Sequence, residues 1–178
     1  MRTLISSKKR KNLLRLLLDD PEERMGIRAA ARACHLSPAS VSVFVASLEK
    51  EGMFRRGRPD VENPELRALK TLFNIEKVAP LFTLVKRKFD AKGMGVYGSW
   101  AKGTNTSASD LDLWIMLDKE PTPSKTAEIR QCLREATGTV DISIVFLTKQ
   151  KLDVLRKKDS VFYSMLFHSY YIGGEKID

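Results

Sequence analysis

The segment between residues 98 and 112 constrains the fold of this chain more than any other. It opens on Gly98-Ser99, continues through ten residues that are mostly small or polar, and closes on Asp110-Leu111-Asp112. The small residues predict a tight turn, and the alternation of acidic and apolar residues that begins at Asp110 predicts a strand. Because successive side chains on a strand leave opposite faces, both acids share one face of the predicted sheet.

This order of residues suits the transfer of phosphoryl or nucleotidyl groups. A Gly-Ser turn allows backbone N–H groups to approach phosphate oxygens. Two carboxylates about 7 Å apart along a strand can share divalent cations that lie about 3.5–4 Å apart. Asp141 offers a third acid early in a later predicted strand. The alternative interpretation is a polar loop that leads into a strand capped by acids.

The composition is that of an ordinary globular protein, with 43% hydrophobic and 30% charged residues in a chain of 178. A chain of this length folds as one larger domain or two small ones. No apolar run approaches the roughly 20 residues that a membrane span requires, and no secretory signal is visible. We therefore expect a cytoplasmic protein without membrane contact, in which Cys34 and Cys132 are reduced.

The positive charge of the chain is concentrated at one end. The net charge is +9, and residues 1–60 hold 13 basic and 7 acidic side chains. An excess of positive charge in one region indicates contact with a polyanion. The alternative is a solvated basic surface without a partner.

The first sixty residues predict a compact helical module that ends in a basic hairpin. Ser37 is expected to cap a helix with Pro38 at its first position, and Gly52 is expected to end that helix. The predicted elements are a helix from Ser6 or Ser7 to about Asp19, a short helix over residues 27–34, the Ser37 helix, and a hairpin over residues 53–61.

This order of elements resembles the winged helix-turn-helix family over residues 4–61. The outward side of the third helix departs from that family, because Ala39, Val43 and Ala46 cannot read base edges and only Lys50 is of a suitable type. The resemblance implies DNA contact, chiefly with phosphates, and the cations available for it are Arg55, Arg56, Arg58 and the Lys8-Lys9-Arg10-Lys11 cluster. The alternative is a module whose exposed apolar side chains pack against a partner protein or the second domain.

The second half mixes strands with helices and predicts an α+β (mixed α/β) fold, with a short mixed sheet covered by helices. The predicted strands cover residues 94–98, 111–117 and 140–147, and the predicted helices cover 64–73, 76–89, 123–136, 149–157 and 160–171. Gly93 is expected to stop the second of these helices, and Thr148 and Ser160 to cap the last two. We expect a helical domain over residues 1–62, connecting helices over 63–92, and a mixed domain over 93–178.

The mixed domain resembles the DNA polymerase beta-type nucleotidyltransferase superfamily. The motif that carries the resemblance is Gly98-Ser99, ten residues, Asp110-Leu111-Asp112, and then Asp141 on a later strand. The short chain is similar to the minimal nucleotidyltransferase branch over residues 77–175. Further matches to that branch are Ala101-x-Gly103, Ser109, Val161-Phe162 and Tyr171-Ile172-Gly173-Gly174-Glu175.

The resemblance implies a role for each residue of the motif. Gly98 and Ser99 would hold the β- and γ-phosphates of a nucleoside triphosphate. Asp110 and Asp112 would coordinate two Mg²⁺ ions. Asp141 would ligate the second ion and help to deprotonate the acceptor hydroxyl.

The implied reaction is transfer of a nucleoside monophosphate, AMP from ATP, onto an acceptor hydroxyl with release of pyrophosphate. Lys102 stands where this branch often carries Arg, so a point charge would replace a bidentate fork at the phosphates. The acceptor would be a macromolecule, with a hydroxyl of a small helical toxin-type protein as the leading candidate. The alternative is a DNA-binding regulator or antitoxin-like binding protein whose transferase-like domain senses nucleotide or partner without turnover. The sequence leaves a homodimer open.

Overall fold

The computed structural model describes residues 7–19, 25–138 and 141–178. The chain forms two compact units, Met1–Phe73 and Asn74–Asp178. In chain order the elements are α1 (Lys8–Asp19), α2 (Ile27–Cys34), α3 (Pro38–Lys50), β1 (Phe54–Arg55), β2 (Arg58–Pro59), α4 (Pro64–Phe89), β3 (Gly93–Val96), α5 (Gly98–Lys102), β4 (Leu111–Met116), α6 (Pro123–Thr137), β5 (Ile142–Leu147), α7 (Lys149–Lys158), α8 (Ser160–Phe167) and β6 (Tyr170–Gly174). The predicted α+β fold class is confirmed. The domain boundaries at residues 62 and 92 stay predictions.

The first helices begin where serine side chains can satisfy free backbone N–H groups. Ser37 Oγ accepts the N–H of Ser40 at 3.1 Å, and Pro38 takes the first position of α3, as predicted. Ser7 Oγ accepts the N–H of Arg10 at 3.3 Å, whereas the alternative cap, Ser6, lies outside the described residues. The helices enclose an apolar core that includes Leu13, Leu14, Leu18, Ala30, Ala31, Val41, Phe44, Val45, Leu48, Met53 and Phe54.

The predicted basic hairpin is present as the antiparallel pair β1–β2. Its tip, Arg56 and Gly57, adopts left-handed backbone with φ of 52° and 76°. The Glu49 carboxylate accepts the Gly57 N–H at 2.6 Å and so ties the tip of the hairpin to α3. Three helices followed by this hairpin agree with the expected order of elements, and the winged-helix assignment itself stays a prediction.

Helix α4 corrects the expectation of two helices over residues 64–73 and 76–89. The structure has one continuous helix, with Pro80 in its interior. An interior proline costs about 3 kcal/mol, because it lacks an N–H and crowds the preceding turn. Burial of two apolar groups on the helix outweighs that cost: Leu66, Leu69 and Phe73 pack in one core, and Val78, Leu81 and Val85 pack in another. The helix ends at Phe89, and Asp90 at φ 57°, not Gly93, takes the left-handed position after it.

The second unit is built on a mixed sheet with strand order β5-β4-β3-β6. Strands β4 and β5 are parallel, while β3 is antiparallel to both of its neighbours. All three predicted strands are present, although residues 139 and 140 lie outside the described part of the chain. On one face, Leu113 and Ile115 of β4 share a core with Val78 of α4 and Ile129 of α6. On the other face, Trp114 and Met116 pack with Leu152 and Leu166, among others.

The C-terminal prediction was partly wrong. Helix α8 ends at Phe167 and does not reach residue 171, because the chain turns back and Tyr170–Gly174 pairs with β3 as an edge strand. Asp159, not Ser160, caps the helix, since its carboxylate accepts the N–H of Phe162 at 2.9 Å. Thr148 caps α7 as predicted, accepting the N–H of Lys151 at 3.2 Å. Within the described ranges, no helix is both long and apolar enough to span a bilayer.

Candidate active site

Two of the predicted acids lie side by side at one end of the sheet. Asp110 directly precedes β4, Asp141 directly precedes β5, and the two strands run parallel. The N–H of Leu111 donates to the carbonyl of Asp141 at 2.7 Å, so the ladder of hydrogen bonds begins between the two acids. Both acidic residues are exposed, as a group that meets a ligand in solution must be.

Asp112 lies one step further into the sheet and is half-buried. Burial raises the pKa of its carboxyl, and the nearby charge of Asp110 raises it further. Like charges that crowd each other in this way favour a proton or a bound cation between them. The predicted pair, Asp110 and Asp112, is therefore brought together, close enough for the charge of Asp110 to act on Asp112.

Gly98 joins the turn of the motif to the acids. Its φ of 67° is left-handed, and a Cβ at this position would overlap the Oδ2 atom of Asp112. The neighbouring backbone is also fixed, because the N–H of Tyr97 donates to the carbonyl of Asp112 at 3.1 Å. The Gly-Ser turn and the second acid, fourteen positions apart in sequence, are thus in direct contact.

The turn itself is a short helix, α5, where the sequence predicted a simple turn. It holds Gly98, Ser99 and Lys102, and Gly103 at φ 68° closes it. Ser99 is half-buried and Lys102 is exposed. The structure thus brings Gly98 and Ser99 to the acid end of β4, while their predicted phosphate roles stay predictions, as does that of Lys102.

A buried amide that sequence reasoning missed anchors the motif segment to α4. Asn74 is 8% exposed, and its amide donates to the carbonyl of Trp100 and to Oδ1 of Asn105, both at 2.8 Å. The ring of Trp100 is buried, with the Lys77 ammonium 5.3 Å from its centroid. A signal for Asn74 existed in the sequence, because it is a polar residue at helical spacing from the apolar Val78, Leu81 and Val85 of α4.

Two hydroxyls beside Asp112 were also missed. Tyr97 is buried, and its hydroxyl forms a hydrogen bond with Ser143, the partner of Asp112 in register on β5. Burial, and next the charge of Asp112, raise the pKa of Tyr97, while the bond to Ser143 opposes that rise. The Tyr97 ring meets Phe162 of α8 edge-on, with centroids 6.3 Å apart. Neither hydroxyl belongs to the motif, so only the pairing of strands reveals them.

The donor set of this region suits a hard divalent cation. Asp110 and Asp112 supply carboxylate oxygens, which Mg²⁺ prefers, and burial together with the charge of Asp110 raises the pKa of Asp112. Across residues 7–19, 25–138 and 141–178, no three His, Cys, Asp or Glu side chains approach closely enough to hold a metal ion. The acid pair therefore fits a cation, and the three-acid site with two Mg²⁺ ions stays a prediction.

The predicted nucleic-acid contacts lie in the first unit. Arg55, Arg56 and Arg58 of the hairpin are exposed, and so is Lys50 at the end of α3. Arg55 forms an ion pair of 2.8 Å with Asp60, yet its side chain is 81% exposed. These cations can meet a polyanion, and their role in binding DNA stays a prediction.

Comparison with known proteins defines the class of the second unit as a nucleotidyltransferase. Residues 81–169, half of the chain, match the family described as Polymerase beta, Nucleotidyltransferase. The chain belongs to this family and is a nucleotidyltransferase. It is also similar to a protein of Methanocaldococcus jannaschii named "Putative protein adenylyltransferase", with 24% identity over 102 residues, which are 56% of this chain and 99% of that relative. Nucleotidyltransferases generally use a nucleoside triphosphate and a divalent metal ion.

Proposed function

We propose that this protein transfers AMP from ATP onto a hydroxyl of a macromolecular acceptor, with Mg²⁺ bound by Asp110 and Asp112. The observation that carries the proposal is the contact of Gly98 with Asp112 beside Asp110. It sets the Gly-Ser turn, which begins the short helix α5, against a pair of carboxylates. A nucleoside triphosphate needs both, because its phosphates need donors and its metal ions need acceptors.

Each residue of the site has a proposed role that follows from its position. Gly98 and Ser99 bind the β- and γ-phosphates, with the Ser99 hydroxyl as a further donor. Asp110 and Asp112 would hold the metal ions, which would supply positive charge beside the phosphates of the nucleotide. Asp141 stands at the same strand end and accepts the proton of the attacking hydroxyl. Its exposure supports this role, because the acceptor must reach it.

The acceptor is proposed to be a protein. The name of the relative from Methanocaldococcus jannaschii supports this choice, since that name specifies a protein adenylyltransferase. By resemblance to minimal nucleotidyltransferases, a helical toxin-type partner is the first acceptor to test. The predicted nucleic-acid contacts belong to the first unit, so we propose that Arg55, Arg56, Arg58 and Lys50 bind DNA phosphates as a separate activity of that unit.

The test is a labelling reaction in lysate of cells that make the protein. Purified protein is incubated with Mg²⁺ and each of the four α-labelled nucleoside triphosphates, and the products are digested with protease or with ribonuclease. We expect label from ATP on a band that protease removes and ribonuclease does not. The Asp110→Asn/Asp112→Asn variant should give no label, whereas Asp118→Asn/Asp153→Asn, which removes two acids elsewhere, should label as wild type.

Three results would contradict parts of the proposal separately. Equal labelling by the Asp110→Asn/Asp112→Asn variant would exclude these acids from the reaction. Label that follows RNA would replace the protein acceptor with a nucleic acid. Label from another nucleotide in preference to ATP would correct the donor and leave the reaction type in place.

A further inference from the structure

A groove on the first unit lies between α1 and α3. Its lining includes Lys9 and Arg10 from α1, Leu36 from the turn before α3, and Ala39, Val43 and Phe44 from α3; we name it the α1–α3 groove. Its volume is about 460 Å³, within the range of roughly 300–1,000 Å³ for pockets that hold ligands or side chains of a partner. No residue of the predicted active site belongs to it.

The centre of the α1–α3 groove is apolar. Phe44 is 4% exposed, with the guanidinium carbon of Arg10 6.0 Å from its ring centroid, whereas the neighbouring Val43 is 69% exposed. A single exposed valine is ordinary on a protein surface. Here the valine borders a concave surface with Leu36 and Ala39, so an apolar side chain that enters the groove would cover several apolar groups at once.

The rim of the groove is cationic. Lys9 and Arg10 lie within the run Lys8-Lys9-Arg10-Lys11, which forms the first turn of α1. Cations are disfavoured at this end of a helix, and α1 has no acidic residue in its first turn. Among the residues that the structure describes, none lining the groove is acidic. An occupant that carries negative charge would therefore be attracted to this rim.

We infer that the α1–α3 groove binds an acidic segment of a protein partner, anchored by an apolar side chain that enters beside Val43. A cationic rim around an apolar groove favours a protein over a nucleic acid as the occupant. A DNA duplex would cover the cations, but its phosphate backbone has no apolar side chain to fill the cavity between the helices. The exposed side of α3 also offers Ala39, Val43 and Ala46, which lack the donors that read bases. The inference holds whether or not the second unit transfers nucleotides.

The test is selection of binding peptides on the full-length protein. A display library of short peptides is used, with positions randomised among Leu, Phe, Glu, Asp, Lys and Ser. We expect enriched peptides that pair acidic residues with a Leu or Phe. Their affinity, measured by fluorescence anisotropy, should fall at least about tenfold with Val43→Asp and again with Lys9→Glu/Arg10→Glu, while Val43→Leu should retain it.

The controls separate loss of the surface from loss of the fold. Val154 of α7 is 49% exposed and lies in the other unit, so Val154→Asp should leave affinity unchanged. Val43→Asp should keep the thermal unfolding midpoint of the wild type, because its side chain is exposed. Lys9→Glu/Arg10→Glu removes the bond of Lys9 to the His35 carbonyl and the contact of Arg10 with Phe44, so its unfolding midpoint is measured to show that it remains folded. Enriched peptides without negative charge, or peptides whose binding survives Val43→Asp, would overturn the inference. If the protein binds a mixed-sequence DNA duplex and Val43→Asp abolishes that binding, the groove is a DNA site, and the inference is overturned as well.

Discussion

The two units hold their charged side chains in opposite ways. In the second unit, Asp112 is half-buried, packed against the backbone of Gly98 and flanked by strand hydrogen bonds. In the first unit, Arg55 is 81% exposed on a two-stranded hairpin. Chemistry at a phosphate requires groups fixed to a fraction of an ångström, and backbone contacts fix them. Contact with an extended polyanion tolerates long side chains that adapt, so exposure is sufficient there.

The largest expected effect comes from the fixed acid. Asp112→Asn should lower the rate of nucleotidyl transfer by about a thousandfold, because loss of a metal ligand removes several kcal/mol of charge stabilisation. At neutral pH, the free energy of unfolding of the Asp112→Asn variant should equal or exceed that of the wild type. The raised pKa shows that the charged carboxylate is disfavoured in the fold, and the amide removes that charge.

Labelling rates and thermal unfolding measure the two effects of Asp112→Asn. Asp118→Asn, an exposed acid beyond the other end of β4, is the matched control and should change neither. If Asp112→Asn transfers nucleotide at the wild-type rate, Asp112 has no part in the mechanism. The contrast between fixed charges in the second unit and exposed charges in the first would then have no functional meaning.

Gly98→Ala tests whether contact with Asp112 matters beyond backbone strain. Gly98 and Gly138 both have left-handed φ, 67° and 80°, but only at Gly98 would a Cβ meet another atom, whereas Gly138 has nothing within 4 Å. Both alanine variants should lose stability from the backbone, by about 1 kcal/mol or more, and Gly138→Ala should lose at least as much, because the ψ of −113° at Gly138 lies outside the left-handed helical region. Only Gly98→Ala should also lose activity, by about a hundredfold, because displacement of Asp112 misaligns the site. Equal activities of the two variants would show that the contact is not needed.

Asn74→Ala should weaken the second unit from a distance. It leaves the carbonyl of Trp100 and the amide of Asn105 without the donor that they share, which costs about 1–3 kcal/mol in a buried site. The exposed Asn12 of α1 is the control, and Asn12→Ala should change stability by less than about 0.5 kcal/mol. Denaturant unfolding measures both variants, and equal midpoints would mean that the amide network does not stabilise the unit.

The smallest expected effect concerns the exposed arginines. Changing Arg55, Arg56 and Arg58 together to Ala should weaken binding of duplex DNA. The slope of log K against log salt should decrease by about 2 to 3, since each phosphate contact contributes about 0.9. Lys102→Ala, an exposed cation of the second unit, should leave the slope unchanged. DNA retention that is insensitive to salt and to the arginines would contradict backbone binding by the hairpin.

Local signals in the sequence predicted the elements whose stabilising contacts lie within a few residues. Ser37 caps α3 and Thr148 caps α7 through an N–H three positions later, so both helices were predicted with their starts. The strand that holds Asp112 was also predicted from local sequence, because the alternation of acidic and apolar residues is visible in adjacent positions.

Contacts between distant segments explain what the sequence did not predict. β6 forms because it pairs with β3, a strand more than seventy residues earlier in the chain, and that partner cannot be read from adjacent residues. Helix α4 runs without the break that was predicted between residues 73 and 76, and it passes through Pro80, because buried side chains on both sides outweigh the cost of the proline. For the candidate site, the motif predicted the acids, but the contact of Gly98 with Asp112 and the anchoring by Asn74 depend on packing that periodicity does not describe.

The chain carries its own optical label for the unit that holds the acids. Trp100 and Trp114 are its two tryptophans, and both belong to the second unit. Both are buried, and the indole N–H of Trp114 donates to Ser169 Oγ at 2.6 Å, so unfolding must change their surroundings. Tryptophan emission therefore follows the second unit directly, whereas circular dichroism follows the helices of both. If the two melting curves superimpose, the two units unfold in one cooperative transition; if they separate, the units unfold independently. No engineered probe is needed for this test.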